Sequence, residues 1–176
     1  DLLLTDPPYG INHPTDYKSR GRGGIAICSN YQPVFDDDKP FDPTIWLAVA
    51  DARILWGANY YSSKLPDVSG WLVWDKMRPD DLDQSTCELA WTDCVKGVRR
   101  FRQLWNGCMR NGDACEHLVH PTQKSVALMK WCMSLKWTKN YKTILDPFAG
   151  SGTTGVAAKL LNRKCTLIEK EEKYCE

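Results

Sequence analysis

The segment that most constrains the fold is a glycine-rich stretch near the end of the 176-residue chain. Its sequence, DPFAGSGTTG at residues 146–155, directly follows an apolar run and leads into a segment with helical spacing. Gly150, Gly152 and Gly155 match the pattern GxGxxG, in which glycines form a tight turn between a β-strand and an α-helix. A strand, a glycine turn and a helix in that order predict an α/β sheet whose strands are largely parallel.

Short apolar runs along the rest of the chain support this prediction. Each is bounded by Gly, Pro, Asp or Asn, as β-strands usually are. Helical patterns lie between some of the runs, at residues 43–50, 126–135 and 153–161, and Asp42 and Ser125 are the predicted N-caps of the first two. The predicted strands are residues 2–4, 52–57, 71–74, 87–91, 100–105, 143–146 and 165–169. We therefore predict a single α/β domain over residues 1–176, with helices on both faces of the sheet.

Composition narrows the class of protein and its surroundings. The net charge is +1, so any surface that binds nucleic acid must be a local basic patch. The eight cysteines contain no CxxC pair, which is typical of reduced thiols in a cytoplasmic protein. No apolar run approaches the ~20 residues of a membrane span. Cys108, Cys115, His117 and His120 are a candidate zinc set, but their spacing fits no standard finger, so we predict no metal site.

Two carboxylates flank the glycine turn and indicate what it binds. Glu169 ends the strand after the helix, where a carboxylate can accept hydrogen bonds from ribose hydroxyls. Asp146 ends the strand ahead of the glycines, where it would repel a pyrophosphate but could pair with a cationic group. A cationic amino-acid nucleoside, S-adenosylmethionine, fits these positions better than a nicotinamide cofactor does. The alternative is a glycine-rich turn without a ligand.

The opening stretch LLLTDPPYG, residues 2–10, predicts a second part of a site. Pro7 and Pro8 fix two φ angles and bias Asp6 to an extended conformation at the end of a buried strand. The Asp6 carboxylate and the Pro7 carbonyl are hydrogen-bond acceptors, and Tyr9 offers a flat aromatic face. Two acceptors beside a stacking surface suit a planar group that carries an NH₂, such as a flipped nucleobase. The alternative is a turn of two prolines that only terminates the strand.

Together these motifs resemble those of the beta-order DNA amino-methyltransferases, in particular phage and prophage members. The DPPY sequence at residues 6–9 resembles the catalytic motif of that group, and residues 144–154 resemble its cofactor motif. The sequence HPTQK at residues 120–124 is similar to the segment that closes over the methionine end of the cofactor. The resemblance implies a Rossmann-like, S-adenosylmethionine-dependent methyltransferase fold.

The resemblance also implies a reaction and a set of residues. The reaction is methyl transfer to the 6-amino group of adenine in double-stranded DNA, by base flipping and direct in-line transfer. The expected catalytic residues are Asp6, Pro7, Pro8 and Tyr9. The expected cofactor-binding residues are His120, Thr122, Lys124, Asp146, Phe148, Ala149, Gly150, Ser151, Gly152, Thr153 and Glu169. The alternatives are methylation of the cytosine 4-amino group, a related enzyme acting on RNA or on a protein glutamine, and a truncated remnant that binds DNA without turnover.

Two local basic clusters are the expected DNA contacts. They consist of Lys18, Arg20, Arg22, Arg99, Arg100 and Arg102. The first three lie in an irregular segment after the DPPY motif, and Arg100 and Arg102 share one face of a predicted strand. A solvated surface is the alternative for both clusters. Residues 76–116 are the expected location of a small target-recognition region, and a homodimer is a further expectation.

Overall fold

A seven-stranded sheet forms the centre of the protein. The computed structural model describes residues 1–13, 15, 33–80, 85–106, 109–110, 120 and 122–175. The strands of the sheet are β1 (Leu2–Thr5), β2 (Ala52–Trp56), β3 (Trp71–Asp75), β4 (Cys87–Thr92), β5 (Val98–Arg102), β8 (Thr143–Asp146) and β9 (Lys164–Leu167). A separate hairpin pairs β6 (Trp105–Asn106) with β7 (Met109–Arg110). The order across the sheet is β5-β3-β4-β2-β1-β8-β9.

The direction of the strands determines which loops meet. Strand β4 is antiparallel to both of its neighbours, and all other pairings in the sheet are parallel. The carboxyl ends of six strands and the amino end of β4 therefore lie at one edge, which we call the carboxyl edge. Open α/β sheets bind ligands at this edge. The prediction of a largely parallel sheet is confirmed.

Two apolar layers cover the sheet. On one face, helices α1 (Val126–Ser134) and α2 (Thr153–Leu160) pack against Leu2 and Leu4 of β1. On the other face, Leu3 packs among residues that include aromatic side chains from short 3₁₀ segments. Because β1 is buried on both faces, it is apolar at three successive positions rather than at every second one.

We predicted α-helices on both faces of the sheet, but the face opposite α1 and α2 carries short 3₁₀ helices. Residues 43–50 do not form an α-helix, and the structure has a 3₁₀ helix at Thr44–Ala48. Asp42 Oδ1 accepts from the Thr44 amide at 3.0 Å, but Pro43 and not Asp42 is the N-cap residue of this turn. A segment of five residues that includes the β-branched Thr44 and Ile45 is too short to repay the cost of α-helix nucleation. The 3₁₀ helices of the described residues are Thr44–Ala48, Ala58–Tyr60, Ser62–Lys64 and Glu172–Tyr174.

The ends of two further elements can be compared with the sequence. Ser125 caps α1 as predicted, since its Oγ accepts from the amides of Ala127 at 3.1 Å and Leu128 at 3.4 Å. The single strand predicted at residues 100–105 is wrong, because β5 ends at Arg102 and Trp105 belongs to the hairpin. Among the described residues, no helix is long and apolar enough to span a membrane.

Candidate active site

The DPPY motif leaves β1 at the carboxyl edge and brings Tyr9 back onto Asp6. The Tyr9 hydroxyl donates a short hydrogen bond to Asp6 Oδ1. The Tyr9 ring stacks on Tyr60, with 5.1 Å between centroids and 16° between the planes. Gly57 makes room for this ring, because a Cβ at that position would lie 1.8 Å from a Tyr9 ring carbon and its φ is +70°. Asp6, which follows β1, and Tyr60, which follows β2, therefore fix the position of Tyr9.

Asp37 holds the backbone that follows the motif. Its Oδ1 accepts from the amides of Tyr9 and Gly10, each at 2.9 Å, and its Oδ2 accepts from the His13 amide at 2.6 Å. The Asp37 side chain is buried, so these bonds also satisfy the carboxylate. Sequence reasoning missed this residue. It lies within three consecutive aspartates, and no local pattern distinguishes it from Asp36 or Asp38.

A chain of buried charges continues from Asp6 into the sheet. The Lys124 ammonium lies 2.5 Å from Asp6 Oδ2, 3.2 Å from the Tyr9 hydroxyl and 3.1 Å from Glu88 Oε2. Lys76 pairs with the other Glu88 oxygen, Oε1. Two carboxylates and two ammonium groups thus neutralise one another. Glu88 and Lys76 were also missed by sequence reasoning, because each is an isolated charge at the end of a strand.

The charge states in this chain follow from burial and pairing. Burial raises the pKa of Asp6, although the Lys124 charge opposes the rise. Burial also tends to raise the pKa of Glu88, but Lys124 and Lys76 outweigh it and lower that pKa to about 2. Burial lowers the pKa of Lys124, and the carboxylates of Asp6 and Glu88 more than compensate, so it is raised overall. Lys124 is therefore a permanent cation at neutral pH.

Asp146 lies at the end of β8, beside β1, in a different environment. Its Oδ1 accepts from the Thr5 hydroxyl at 2.6 Å and from the Phe148 amide at 3.2 Å. Burial raises the pKa of Asp146 to about 6, and the hydroxyls of Thr154 and Thr5 oppose that rise only in part. Since Thr5 immediately precedes Asp6, a single hydrogen bond links the glycine-rich segment to the DPPY motif.

Glu169 and His120 complete the glycine turn. Glu169 Oε2 accepts from the Gly150 amide at 2.6 Å, and Oε1 accepts from the Glu171 amide at 2.8 Å. The His120 ring contacts Tyr174 edge-on at 4.6 Å between centroids. Burial lowers the pKa of His120 to about 4, so its imidazole is neutral at neutral pH.

One narrow cavity of about 40 Å³ joins these parts at the carboxyl edge. Asp6 and nine of the eleven predicted cofactor-binding residues line it, and Gly152 and Glu169 lie outside its lining. The lining comprises Asp6, His120, Thr122, Gln123, Lys124, Met129, Asp146, Phe148, Ala149, Gly150, Ser151, Thr153 and Thr154. Gln123, Met129 and Thr154 were not predicted. The three motifs, which are far apart in the sequence, therefore meet in space.

The predicted DNA contacts are only partly described by the structure. Lys18, Arg20 and Arg22 lie outside the described residues. On β5, Arg102 lies at the carboxyl edge, where its Nε donates to Asp75 Oδ2 at 2.9 Å. Arg99 lies near the start of the same strand, 5.0 Å from the Trp137 ring, and Arg100 is exposed in the middle of it.

Two predictions concern residues that the structure describes only in part. Within residues 76–116, residues 87–102 include β4 and β5 of the sheet, so a target-recognition role stays a prediction for the remainder. Among the described residues, no group of His, Cys, Asp and Glu could hold a metal ion. Cys108, Cys115 and His117 of the candidate zinc set lie outside those residues.

Most of the chain matches a known protein family. Residues 45–176 match the family N6_N4_Mtase, described as DNA methylase. A stretch of 76 residues, which is 43% of this chain, is 40% identical to the type II methyltransferase M2.LlaDCHI of Lactococcus lactis subsp. cremoris. The matched stretch spans only 28% of the length of that relative.

Solved structures resemble the fold over nearly the whole chain. The crystal structure of the M1.HpyAVI-SAM complex is 25% identical, with a TM-score of 0.55, over 99% of this chain and 84% of that one. The PvuII DNA methyltransferase, named as cytosine-N4-specific, is 12% identical, with a TM-score of 0.58, over 99% of this chain and 76% of that one. At 12% identity the second likeness shows the fold alone. The prediction of a Rossmann-like methyltransferase fold is confirmed.

Proposed function

This chain belongs to the DNA methylase family, and from that premise we propose that it methylates the 6-amino group of adenine in double-stranded DNA. The observation that carries the proposal is the hydrogen bond of 2.6 Å between Thr5 and Asp146. It joins the strand end that would receive the target amine to the strand end that would bind the cofactor. In-line transfer requires those two groups to lie side by side.

S-adenosylmethionine is the cofactor in this proposal, and it supplies an activated methyl group on a sulfonium. The side chains present suit it, because Asp146 and Glu169 place carboxylates on either side of the glycine turn. Asp146 has uncharged hydrogen-bond donors, so its carboxylate is available to a cationic group of the ligand. Glu169 lies where a ribose would present its hydroxyls.

The target amine is a weak nucleophile, because its lone pair is delocalised into the base. The Asp6 carboxylate and the Pro7 carbonyl would accept its two hydrogens and favour a pyramidal nitrogen. They would also stabilise the positive charge that develops on that nitrogen during transfer. Tyr9, stacked on Tyr60, offers an aromatic surface beside the base. No covalent intermediate with the protein is needed.

The choice of adenine over cytosine rests on the residues of the DPPY motif. An aspartate at position 6 resembles the adenine-specific members of the beta-order group, in which the catalytic motif precedes the cofactor motif. In this chain the motifs occur in that order, with DPPY at residues 6–9 and the glycine turn at residues 146–155. The runner-up is the 4-amino group of cytosine, for which the same acceptors would serve.

The test is methylation of plasmid DNA with labelled cofactor, followed by mass spectrometry of the nucleosides. We expect N6-methyladenine from the wild-type protein. Asp6→Ala should lower the rate by about a thousandfold and leave cofactor binding largely unchanged. The matched control is Asp38→Ala, which removes an exposed aspartate from the neighbouring loop and should keep the rate.

Each other outcome has a definite meaning for the proposal. If the product is N4-methylcytosine, the target base is cytosine, and Asp6 and Pro7 serve as acceptors in the same way. Cofactor binding without any methylated product would identify a remnant without turnover. Near-normal turnover by Asp6→Ala would refute the role of the carboxylate.

A further inference from the structure

Lys124 is shared between two buried carboxylates that come from different parts of the chain. Its ammonium lies 2.5 Å from Asp6 Oδ2 and 3.1 Å from Glu88 Oε2. Asp6 follows β1, Glu88 lies at the start of β4, and Lys124 immediately precedes the residue that caps α1. The side chain of Lys124 is only 6% exposed, so its charge depends on these partners.

Both oxygens of Asp6 are engaged in this arrangement. Tyr9 donates to Oδ1, and Lys124 donates to Oδ2. A target amine that donates to Asp6 needs lone pairs on one of those oxygens, and an ammonium group on the same oxygen reduces its capacity to accept. A target amine that donates to Oδ2 of Asp6 would therefore compete with Lys124 for that oxygen.

Glu88 is placed to receive the displaced ammonium. Its Oε2 is buried, and the Lys124 ammonium already lies 3.1 Å from it as an ion pair. Its other oxygen is held by Lys76, which keeps the carboxylate in position and ionised. A short movement of the Lys124 amino group would therefore exchange one carboxylate partner for another. Without such a partner, a buried ammonium would be strongly destabilising.

We propose that Glu88 is a positioning residue of the methyl-transfer reaction, which takes the Lys124 ammonium from Asp6 as the target amine arrives. Asp6 then has an oxygen free for the amine, and no buried charge is left without a partner. Lys124 acts in this scheme on the target side of the site, as a cation that moves between two carboxylates. The proposal rests on the proposed function, because it assumes that Asp6 receives the amine.

The first test is Glu88→Gln, which keeps the shape of the side chain and removes its charge. Lys124 then has no charged alternative to Asp6, so kcat at saturating cofactor should fall about 10- to 100-fold. The dissociation constant of the cofactor, measured by calorimetry, should change by less than about threefold. The matched control is Asp93→Asn at the other end of β4, whose carboxylate pairs with Arg53. Its side chain is 22% exposed against 21% for Glu88, and the rate should stay normal.

The pH dependence of kcat separates this role from a structural one. The charged and titratable groups of the described residues that face Asp6 are Tyr9, Tyr61, Glu88, Lys124 and Asp146. The pKa values of Tyr9 and Lys124 are raised, so neither group titrates on the acid side. Activity should fall as the pH drops through the pKa of Asp6, and the negative charge of Glu88 raises that pKa. Glu88→Gln should therefore move the acid limb to lower pH, which a packing defect would not do.

A double-mutant cycle with Lys124→Met tests whether Glu88 acts through Lys124. We expect Glu88→Gln to cause no further loss of rate once Lys124 is replaced. Losses that multiply would overturn the proposal, and so would a Glu88→Gln variant with a normal rate and an unmoved acid limb. Glu88→Asp keeps the charge on a shorter side chain and should retain an intermediate rate, which keeps the test decisive if Glu88→Gln does not fold.

The activity of the wild-type protein tests the proposed function, and the activity of Glu88→Gln relative to it tests the role of Glu88. If the wild-type protein transfers no methyl group to DNA, the proposed function fails. If the wild-type protein is active and Glu88→Gln matches it, only the role of Glu88 is overturned.

Discussion

Asp6 and Asp146 end neighbouring parallel strands, yet their surroundings are opposite. Asp6 is paired with the Lys124 ammonium at 2.5 Å. Among the residues that the structure describes, the donors to Asp146 are uncharged and include the Thr5 hydroxyl at 2.6 Å. Asp6 already has a cation of the protein as its partner, whereas Asp146 has none and suits a positively charged ligand. The difference between the two carboxylates therefore separates a target side from a cofactor side within one site.

Among the substitutions that test this difference between the two carboxylates, Asp146→Asn should have the largest effect. Losing the carboxylate should weaken binding of the cationic cofactor by about 10- to 100-fold, as expected for a hydrogen bond to a charged group. In the wild-type protein, affinity should fall as the pH drops through about 6, where Asp146 becomes protonated. Calorimetric titration at several pH values measures both effects. An affinity that stays constant from mildly acidic to mildly alkaline pH would contradict the assignment.

The same substitution should stabilise the protein at high pH. The pKa of Asp146 is raised by folding from 3.8 to about 6, so the folded state binds the proton more tightly than the unfolded state. Its ionisation therefore lowers stability as the pH rises through that window, by up to about 3 kcal/mol. Above about pH 6, Asp146→Asn should raise the free energy of unfolding by up to that amount. Below pH 3.8 the aspartate is protonated in both states, so the substitution should give no such increase. Urea denaturation on either side of the window tests the sign.

Asp37→Ala should act on the target side alone. Its carboxylate accepts from the amides of Tyr9, Gly10 and His13, and their loss should cost about 2–4 kcal/mol of stability. The loosened backbone should lower the rate of methyl transfer about tenfold with little change in cofactor affinity. Thermal unfolding and single-turnover kinetics measure these effects, with Asp38→Ala as the exposed control. An equal loss of cofactor affinity would show that the two sides are not independent.

The smallest effect should come from the DNA surface, which involves neither aspartate. Replacing Arg100 and Arg102 by Ala should weaken DNA binding modestly. The slope of log K against log salt should become shallower by about 1 for each arginine that binds a phosphate in the wild-type complex. The matched control is Lys159→Ala in the last turn of α2, an exposed basic residue that is not among the expected DNA contacts. An unchanged slope in the double variant would exclude both residues from phosphate binding.

Local patterns in the sequence account for the framework of this protein. The apolar run at Leu2–Thr5 and the glycine turn after Thr143–Asp146 predict two strands that end in acidic residues. Ser125 also predicts the start of α1 correctly, because a capping side chain acts within three residues of its own position. Such features depend on neighbouring residues, so the order of residues is enough to infer them.

The partners of those acidic residues were beyond the reach of local patterns. Asp37 bonds to amides up to 28 residues earlier, and Lys124 reaches an aspartate 118 residues away. Glu88 approaches Lys124 only because β4 runs antiparallel to β2 and starts where the other strands end. Strand order and direction depend on the packing of the whole sheet.

By itself, the sequence determined that an aspartate would stand at the end of each of two strands, one before a double proline and one before a glycine turn. The tertiary structure decided that these strands are neighbours, that Thr5 bridges them and that Lys124 pairs with one of the two aspartates alone. The physical reason is that backbone preferences act over a few residues. The charge around a buried carboxylate, by contrast, is contributed by whichever distant segments the sheet brings to its carboxyl edge.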